Sequence, residues 1–261
     1  MKELHDHFFR KAKEEGYLAR AAYKLKEIDE RKRIFRRGDR VLDCGAAPGS
    51  WMQVALEAVG PQGLVIGIDL KPITHRFGSP AAKTVVGDLL TMTSAEIFAA
   101  AGAKDPASRF DVVLSDMAPN TTGDRTIDHY GSMRLCEAVI ERLPLLLRRG
   151  GHAVLKAFQG EAFPALLERT RALFDDARSF KPKSSRDESI EIFLVLHGWR
   201  GGVAARGPTA SEGSPALPPS GSGGMTPARA PARPAPSAGW GRRDDGAPKA
   251  GPDQTEDPAD S

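Results

Sequence analysis

The sequence predicts an α/β fold in which helices cover both faces of a parallel sheet. Short runs rich in aliphatic and β-branched residues alternate with longer segments of helical apolar spacing between residues 40 and 197. A loop of small residues, Gly45 to Ser50, directly follows the first of these runs and precedes a helical segment. Sheets of this kind bind ligands at the carboxyl ends of their strands, so the functional site is expected there.

The alternation resolves into individual strands and helices. The predicted strands cover residues 40–44, 64–69, 83–86, 110–115, 152–157 and 190–196. The predicted helices cover residues 19–30, 51–59, 94–101, 129–147 and 161–174. We expect Gly150 and Gly151 to end the fourth of these helices, because glycine readily adopts the left-handed conformation that often follows a helix.

The composition changes abruptly after Trp199. Gly, Ala, Pro and Ser make up 40 of the 61 residues from 201 to 261. Such a segment buries too little apolar surface to offset its ordering entropy, so we expect residues 201–261 to be a disordered tail. The first 200 residues suit one domain, made of a basic helical segment at 1–40 and a core at 41–200.

The formal net charge of +3 hides an uneven distribution. Residues 1–40 hold 13 basic and 8 acidic side chains, against 18 and 19 in residues 41–200 and 6 and 7 in residues 201–261. A local excess of positive charge suits a phosphate backbone, and Lys181, Lys183 and Arg186 would extend it. The alternative is a solvated helix face on which nearby glutamates neutralise the basic groups. The basic residues concerned are Arg10, Lys11, Lys13, Arg20, Lys24, Lys26, Arg31, Lys32, Arg33, Arg36 and Arg37.

Several classes of protein are disfavoured. No apolar run approaches the ~20 residues that span a bilayer, and the charged N-terminus lacks the apolar core of a secretory signal. Cys44 and Cys136 lie far apart, and the six histidines show no HExxH spacing, so neither a disulfide framework nor a metal site is expected. We expect a monomeric cytoplasmic protein with no membrane partner.

The loop after the first strand does not suit a dinucleotide. A dinucleotide-binding loop needs the pattern G-x-G-x-x-G, so that a pyrophosphate can sit on the helix N-terminus. Here Ala47 and Pro48 interrupt that pattern between Gly45 and Gly49. Asp43 would repel a pyrophosphate, whereas it can pair with an ammonium group. This combination favours S-adenosylmethionine, which carries an amino-acid moiety and no phosphate.

Acidic residues also end the second and third strands. Asp69 is placed to accept both ribose hydroxyls of an adenosine, and Asp88 to contact the edge of its adenine. Each aspartate by itself is equally typical of an ordinary turn. Three of them after three successive strands, behind a small-residue loop, indicate a nucleoside cofactor.

The fourth strand is followed by Asp116-Met-Ala-Pro. Enzymes that methylate exocyclic base nitrogens commonly have an aromatic residue in this segment, which stacks on a flipped base. This chain lacks that aromatic residue, so an oxygen atom is the favoured target.

Four segments together resemble one family. They are Ala21-Ala-Tyr-Lys-Leu25, Asp43-Cys-Gly-Ala-Ala-Pro-Gly-Ser-Trp51, Ser115-Asp-Met-Ala-Pro-Asn120 and Lys156-Ala-Phe-Gln-Gly-Glu161. With Ser184-Ser-Arg186 and Glu191, they are similar to the FtsJ-like ribosomal RNA 2′-O-methyltransferases over about residues 15–197. The resemblance implies a Rossmann-like class I S-adenosylmethionine-dependent methyltransferase sheet. It also implies a uridine in the large-subunit (23S) rRNA of an assembled or nearly assembled subunit as substrate.

The resemblance implies a catalytic tetrad, and the loop and the strand ends supply the predicted cofactor-binding residues. The catalytic tetrad falls on Lys24, Asp116, Lys156 and Glu191. The cofactor-binding residues are Asp43, Gly45, Gly49, Trp51, Asp69, Asp88 and Asp116.

Each member of the tetrad has an expected role. A lysine accepts a proton only in its neutral form, so burial or a neighbouring cation must lower the pKa of a lysine base from about 10.4. Lys156, within a strand expected to be buried on both faces, is the proposed base. Lys24 would supply the neighbouring cation and hold RNA, Asp116 would orient Lys156, and Glu191 would orient a lysine or the ribose.

Two other functions remain open. The chain could methylate the ribose of another RNA, such as a tRNA or an mRNA cap, although cap enzymes typically need an aromatic guanosine site and only 7% of this chain is aromatic. It could also be a ribosome-assembly factor that has lost catalysis, which the complete tetrad disfavours.

Overall fold

The structure, a computed structural model, describes residues 2–102, 109–185 and 189–202. From residue 203 onward the predicted tail lies outside the described residues, as does Arg186. The division of the chain at residues 40 and 200 therefore stays a prediction.

In the described part of the chain, seven strands form one sheet in the order β3-β2-β1-β4-β5-β7-β6. All run parallel except β7, which is antiparallel to both of its neighbours. The strands are β1 Arg40–Cys44, β2 Leu64–Asp69, β3 Ala82–Val86, β4 Phe110–Ser115, β5 Leu147–Phe158, β6 Phe174–Phe180 and β7 Glu191–Trp199.

Helices cover both faces of this sheet, which confirms the predicted fold class. One core cluster joins α2 and α3 to one face, and a second joins α4, α5 and α6 to the other. The helices are α1 Lys2–Glu14, α2 Ala22–Lys32, α3 Ser50–Val59, α4 Ser94–Ala100, α5 Arg125–Leu146 and α6 Phe163–Leu173. Because α2 packs in the same cluster as strand residues of the core, this part of the basic segment is held against the sheet.

The structure corrects two predictions about the second half of the sheet. Helix α5 ends at Leu146, and Leu147 is already extended, so Gly150 and Gly151 lie inside β5 and do not cap the helix. They occupy an irregularity in the β4–β5 pairing, where a Cβ on Gly151 would lie 2.8 Å from the carbonyl oxygen of Asp111. The glycines therefore permit a close approach of two strands.

The sheet is also not wholly parallel, and it contains a strand that was not predicted. Strand β6 was missed because its sequence, Phe-Asp-Asp-Ala-Arg-Ser-Phe, is largely polar and belongs to a half-exposed edge strand. Since β6 precedes β7 and pairs with it directly, β7 runs antiparallel between β5 and β6.

Candidate active site

A cleft of about 420 Å³ opens at the carboxyl ends of the first four strands. Its volume falls in the usual range for small-molecule sites. It lies beside the neighbouring strands β1 and β4, from which the chain continues to opposite sides of the sheet, as expected for this architecture. The residues that line it are Gly45, Ala47, Ile68, Asp69, Leu70, Lys71, Gly87, Asp88, Leu89, Leu90, Asp116, Met117, Ala118 and Leu135.

The loop after β1 is held in place by the strand beside it. Gly45 and Ala46 both donate backbone hydrogen bonds to the carbonyl of Ile68, and the carboxylate of Asp69 accepts one from the amide of Ala47 at 2.9 Å. Gly45 has a φ of +76°, and a Cβ there would lie 2.6 Å from Cγ of Met117. Only glycine fits this position, which keeps one wall of the cleft as bare backbone.

Asp43 is a carboxyl group in an unusual environment. Its side chain is fully buried at the end of β1, and neither carboxyl oxygen has a hydrogen-bond partner among the described residues. Burial raises the pKa of Asp43 well above its ordinary value, and the charges of Asp116 and Asp69 raise it further. A buried carboxyl group without a partner is stabilised when a cationic group approaches it.

Asp88, after β3, lines the cleft as predicted and accepts a hydrogen bond from the amide of Leu90 at 2.8 Å. The turn that follows is held from α5, where the guanidinium of Arg142 donates to the carbonyls of Leu90 and Met92, each at 2.6 Å. Sequence reasoning missed Arg142, since nothing in the local pattern links residue 142 to residues 90–92.

Three of the predicted cofactor residues, Asp43, Gly49 and Trp51, do not line this cleft. A Cβ on Gly49 would meet the ring of Phe77 at 2.8 Å, and Gly49 is absent from the cleft lining. The indole of Trp51 is buried, 5.7 Å from the ring of Phe193, and its Nε1 donates to the carbonyl of Ala21 at 2.9 Å. The side chain of Trp51 therefore holds the start of α2, and a contact with a ligand would have to use its backbone.

The four residues of the predicted tetrad meet beside this cleft. Nζ of Lys156 lies 3.0 Å from Oδ1 of Asp116 and also donates to the backbone carbonyl of Asp116. Lys24, from α2, forms a nearly buried ion pair with Glu191 at the start of β7. Phe193 connects the two pairs, since it is the cross-strand partner of Lys156 and its ring lies 6.0 Å from Nζ of Lys24.

The charges of the tetrad act on one another. Burial raises the pKa of Asp116, while Lys156 and Lys24 act to lower it and Glu191 acts to raise it. With all four groups ionised the cluster carries no net charge. Asp116 belongs both to the tetrad and to the cleft lining, so the cluster borders the cleft through this residue.

Comparisons with known proteins decide the family. A family model described as FtsJ-like methyltransferase matches residues 17–199. The chain belongs to the FtsJ-like methyltransferase family. The resemblance predicted from the motifs is thereby confirmed, and the matched range of this FtsJ-like methyltransferase contains every predicted site residue.

Curated relatives and a solved structure agree with this assignment. A protein of Syntrophobacter fumaroxidans is 48% identical over 193 residues, which cover 74% of this chain and 94% of the relative. One from Nitratidesulfovibrio vulgaris is 45% identical over 205 residues, covering 77% and 96%. Both are named ribosomal RNA large subunit methyltransferase E. A crystal structure of a Plasmodium falciparum protein, provisionally named a ribosomal RNA methyltransferase, matches with a TM-score of 0.61 at 28% identity, covering 71% of this chain and 100% of that one.

Several basic residues of the segment are paired with glutamates in this FtsJ-like methyltransferase. Lys24 is buried in the tetrad and forms no part of an outer surface. Lys11 and Lys26 each lie within 4.0 Å of Glu15, and Arg31 lies 3.6 Å from Glu27. Lys11, Lys26 and Arg31 therefore have acidic neighbours, as the solvated-face alternative expected. The net positive charge that they present to a polyanion is smaller than their number suggests.

Among the described residues, no group of three or more His, Cys, Asp or Glu side chains is arranged to hold a metal ion. Within the same part of the FtsJ-like chain, no helix is both long enough and apolar enough to cross a membrane.

Proposed function

We propose that the chain methylates the ribose 2′-hydroxyl of a uridine in large-subunit (23S) rRNA, with S-adenosylmethionine as the methyl donor and an assembled or late-assembling subunit as substrate. The observation that carries this proposal is the position of the Lys156–Asp116 pair against the cleft. The names of the curated relatives support the choice of RNA. We further propose that the chain acts in the cytoplasm, where it would meet this substrate, and that it acts as a single copy.

The residues of the cleft fit this donor. The bare backbone at Gly45 admits a ligand closely, and the unpartnered Asp43 suits an ammonium group near the end of β1. Asp69 and Asp88 would hold the ribose hydroxyls and the adenine edge. When bound, S-adenosylmethionine supplies a methyl group activated by a sulfonium.

The remaining chemistry belongs to the tetrad. The 2′-hydroxyl has to lose its proton as it attacks, and Nζ of Lys156, held by Asp116, is the nearby group able to receive that proton once it is neutral. The Lys24–Glu191 pair adds a second polar contact that can orient the ribose. Proximity and alignment supply most of the rate enhancement, because the reaction needs an in-line approach.

The segment proposed to bind RNA also contributes one residue to the tetrad. Lys24 lies on α2, within the segment that holds the positive surplus. No separate RNA-binding domain is visible in the described part of the chain, so recognition would depend on the shape of a large folded RNA.

The direct test is transfer of labelled methyl groups to purified, unmethylated large subunits, followed by mapping of the modified nucleotide. Transfer RNA and capped mRNA serve as parallel substrates. Label in a 2′-O-methyluridine of the rRNA is expected. Label in tRNA or in the cap alone would favour the second enzyme hypothesis, and intact donor binding with no transfer to any RNA would favour an assembly factor.

The base assignment is tested by Lys156→Ala. Donor binding, measured by calorimetry, should persist, whereas kcat should fall by about 10²- to 10⁴-fold, the usual contribution of a general base. Lys83→Ala is a matched control, since Lys83 lies on another strand of the sheet and contacts the carbonyl of Ala101 instead. Wild-type turnover in Lys156→Ala would refute the assignment.

A further inference from the structure

Three side chains on one face of α5 bond to the backbone around Lys156. Sγ of Cys136 donates to the carbonyl of Lys156 at 3.1 Å, and Oγ of Ser132 accepts from the amide of Phe158 at 3.0 Å. Nδ1 of His129 lies 2.8 Å from the carbonyl of Phe158. Residues 129, 132 and 136 share a helix face because they are spaced by three and four. These hydrogen bonds hold the C-terminal end of β5, which carries Lys156, against α5.

His129 also holds the loop that follows β5. Its Nε2 accepts a hydrogen bond from the amide of Ala162 at 3.1 Å. A carbonyl only accepts and an amide only donates, so these two partners require the neutral ring with its proton on Nδ1. The loop passes so close that a Cβ on Gly160 would lie 2.5 Å from the ring, which is 3% exposed.

The residue before His129 holds the other catalytic loop. Oδ1 of Asp128 accepts from the amide of Thr122 at 2.7 Å, and Oδ2 accepts from the amide of Gly123 at 3.2 Å. Thr122 and Gly123 belong to the loop that leaves β4 after Asp116. Asp128 and His129 are both buried, and together they tie the two loops flanking the Asp116–Lys156 pair to one turn of α5.

We propose that Asp128 and His129 are positioning residues for methyl transfer, which act by fixing the loop that carries Asp116 and the loop that follows β5, the strand of Lys156. Neither side chain needs to touch the donor or the RNA. The backbone of Phe158, which His129 and Ser132 hold by both its carbonyl and its amide, is also the cross-strand partner of Glu191. We call Asp128 and His129, together with the loop contacts they make, the clamp. By holding Phe158, the clamp sets the distance between the Lys156–Asp116 pair and the Lys24–Glu191 pair. This role rests on the proposed methyl transfer.

The clamp itself is tested without any activity measurement. In His129→Leu, which has similar volume and no ring nitrogen, the amide of Ala162 should exchange with solvent on the order of 10-fold faster than in the wild type, because it loses its acceptor. Val139→Ala is the control, since Val139 is a buried residue of the same helix away from the loops. Val139→Ala should increase exchange at many amides because it destabilises the whole domain, with no particular increase at the amide of Ala162. Unchanged exchange at Ala162 in His129→Leu would overturn the clamp.

The catalytic consequence is tested by kinetics at a temperature where every variant is folded. His129→Leu should lower kcat by roughly 10- to 100-fold, the size of effect expected from a displacement of about 1 Å, with KM for RNA and donor affinity unchanged. His129→Gln, whose amide oxygen can accept from Ala162, and His129→Asn, whose amide can donate to Phe158, should each recover part of this loss. Asp128→Asn should lower kcat in the same way.

The outcomes separate the two proposals. The positioning role of His129 is supported if Val139→Ala keeps the wild-type kcat per folded molecule while His129→Leu has a reduced kcat. Equal kcat in both variants would reduce His129 to a structural residue and overturn the inference. If the wild-type protein methylates no RNA, the proposed function fails, while the exchange experiment still decides whether the clamp exists.

Discussion

Replacement of Trp51 by phenylalanine tests whether this indole holds α2 in the active position. The indole Nε1–H donates to the carbonyl of Ala21, the residue at the start of α2 and three positions before Lys24. Trp51→Phe removes that donor and part of the aromatic surface packed on Phe193. We expect α2 to loosen at its first turn and the Lys24–Glu191 pair to lose its fixed position.

The size of the effect follows from these contacts. The lost hydrogen bond is worth about 1 kcal/mol, and the smaller ring costs about 1–2 kcal/mol in a site that is only 2% exposed. A loss of roughly 2–3 kcal/mol lowers Tm by about 4–12 °C for a domain of this size. In addition, kcat should fall by about tenfold, because Lys24 is no longer held in a fixed position beside Glu191.

Trp199→Phe provides a closely matched control. Trp199 is 1% exposed and packs on the ring of Phe174 at 5.0 Å, yet its indole N–H has no partner among the described residues. It lies at the opposite end of β7 from Glu191. Thermal unfolding and methyl transfer are measured for both variants. If both lose the same stability and Trp51→Phe keeps wild-type kcat, the indole does not position α2 and the reasoning is wrong.

Three other substitutions probe the cleft and the tetrad. Gly45→Ala places a methyl group against Met117 at a positive φ, so donor affinity by calorimetry should fall and the protein should lose about 1–2 kcal/mol of stability; unaltered affinity would speak against this wall of the cleft. Burial raises the pKa of Asp43 above 3.8, so its folded form holds a proton to higher pH than the unfolded chain. The stability of the wild type relative to Asp43→Asn should therefore fall as pH rises above 3.8 in urea titrations, and a pH-independent difference would contradict this. Glu191→Gln leaves the ammonium of Lys24 without its charge partner, which should cost about 1–3 kcal/mol in urea unfolding and lower kcat. A variant with wild-type values for both would remove Glu191 from the tetrad.

Local sequence predicted some elements closely and others poorly. The predicted bounds of β1, β2 and β4 match the structure, because each is an apolar run that ends at a small or acidic residue. Strand β6 has no such run, since an edge strand exposes much of its surface. The glycine pair at 150 and 151 was misjudged because a helix cap and a strand irregularity require the same residue type.

The sequence by itself determined the fold class, the family and the residue types of the site, because strand alternation and the motif spacings are properties of the linear chain. The tertiary structure decided how those residues combine. It paired Lys156 with Asp116 and Lys24 with Glu191, turned the indole of Trp51 toward α2, and brought Asp128 and His129 against the segments that follow β4 and end β5. Apart from the contact of Asp128 with Thr122, these contacts join residues from 29 to 167 positions apart, or depend on the direction in which one side chain points. Neither property is written in a local pattern, since both depend on how helices and strands pack across the sheet.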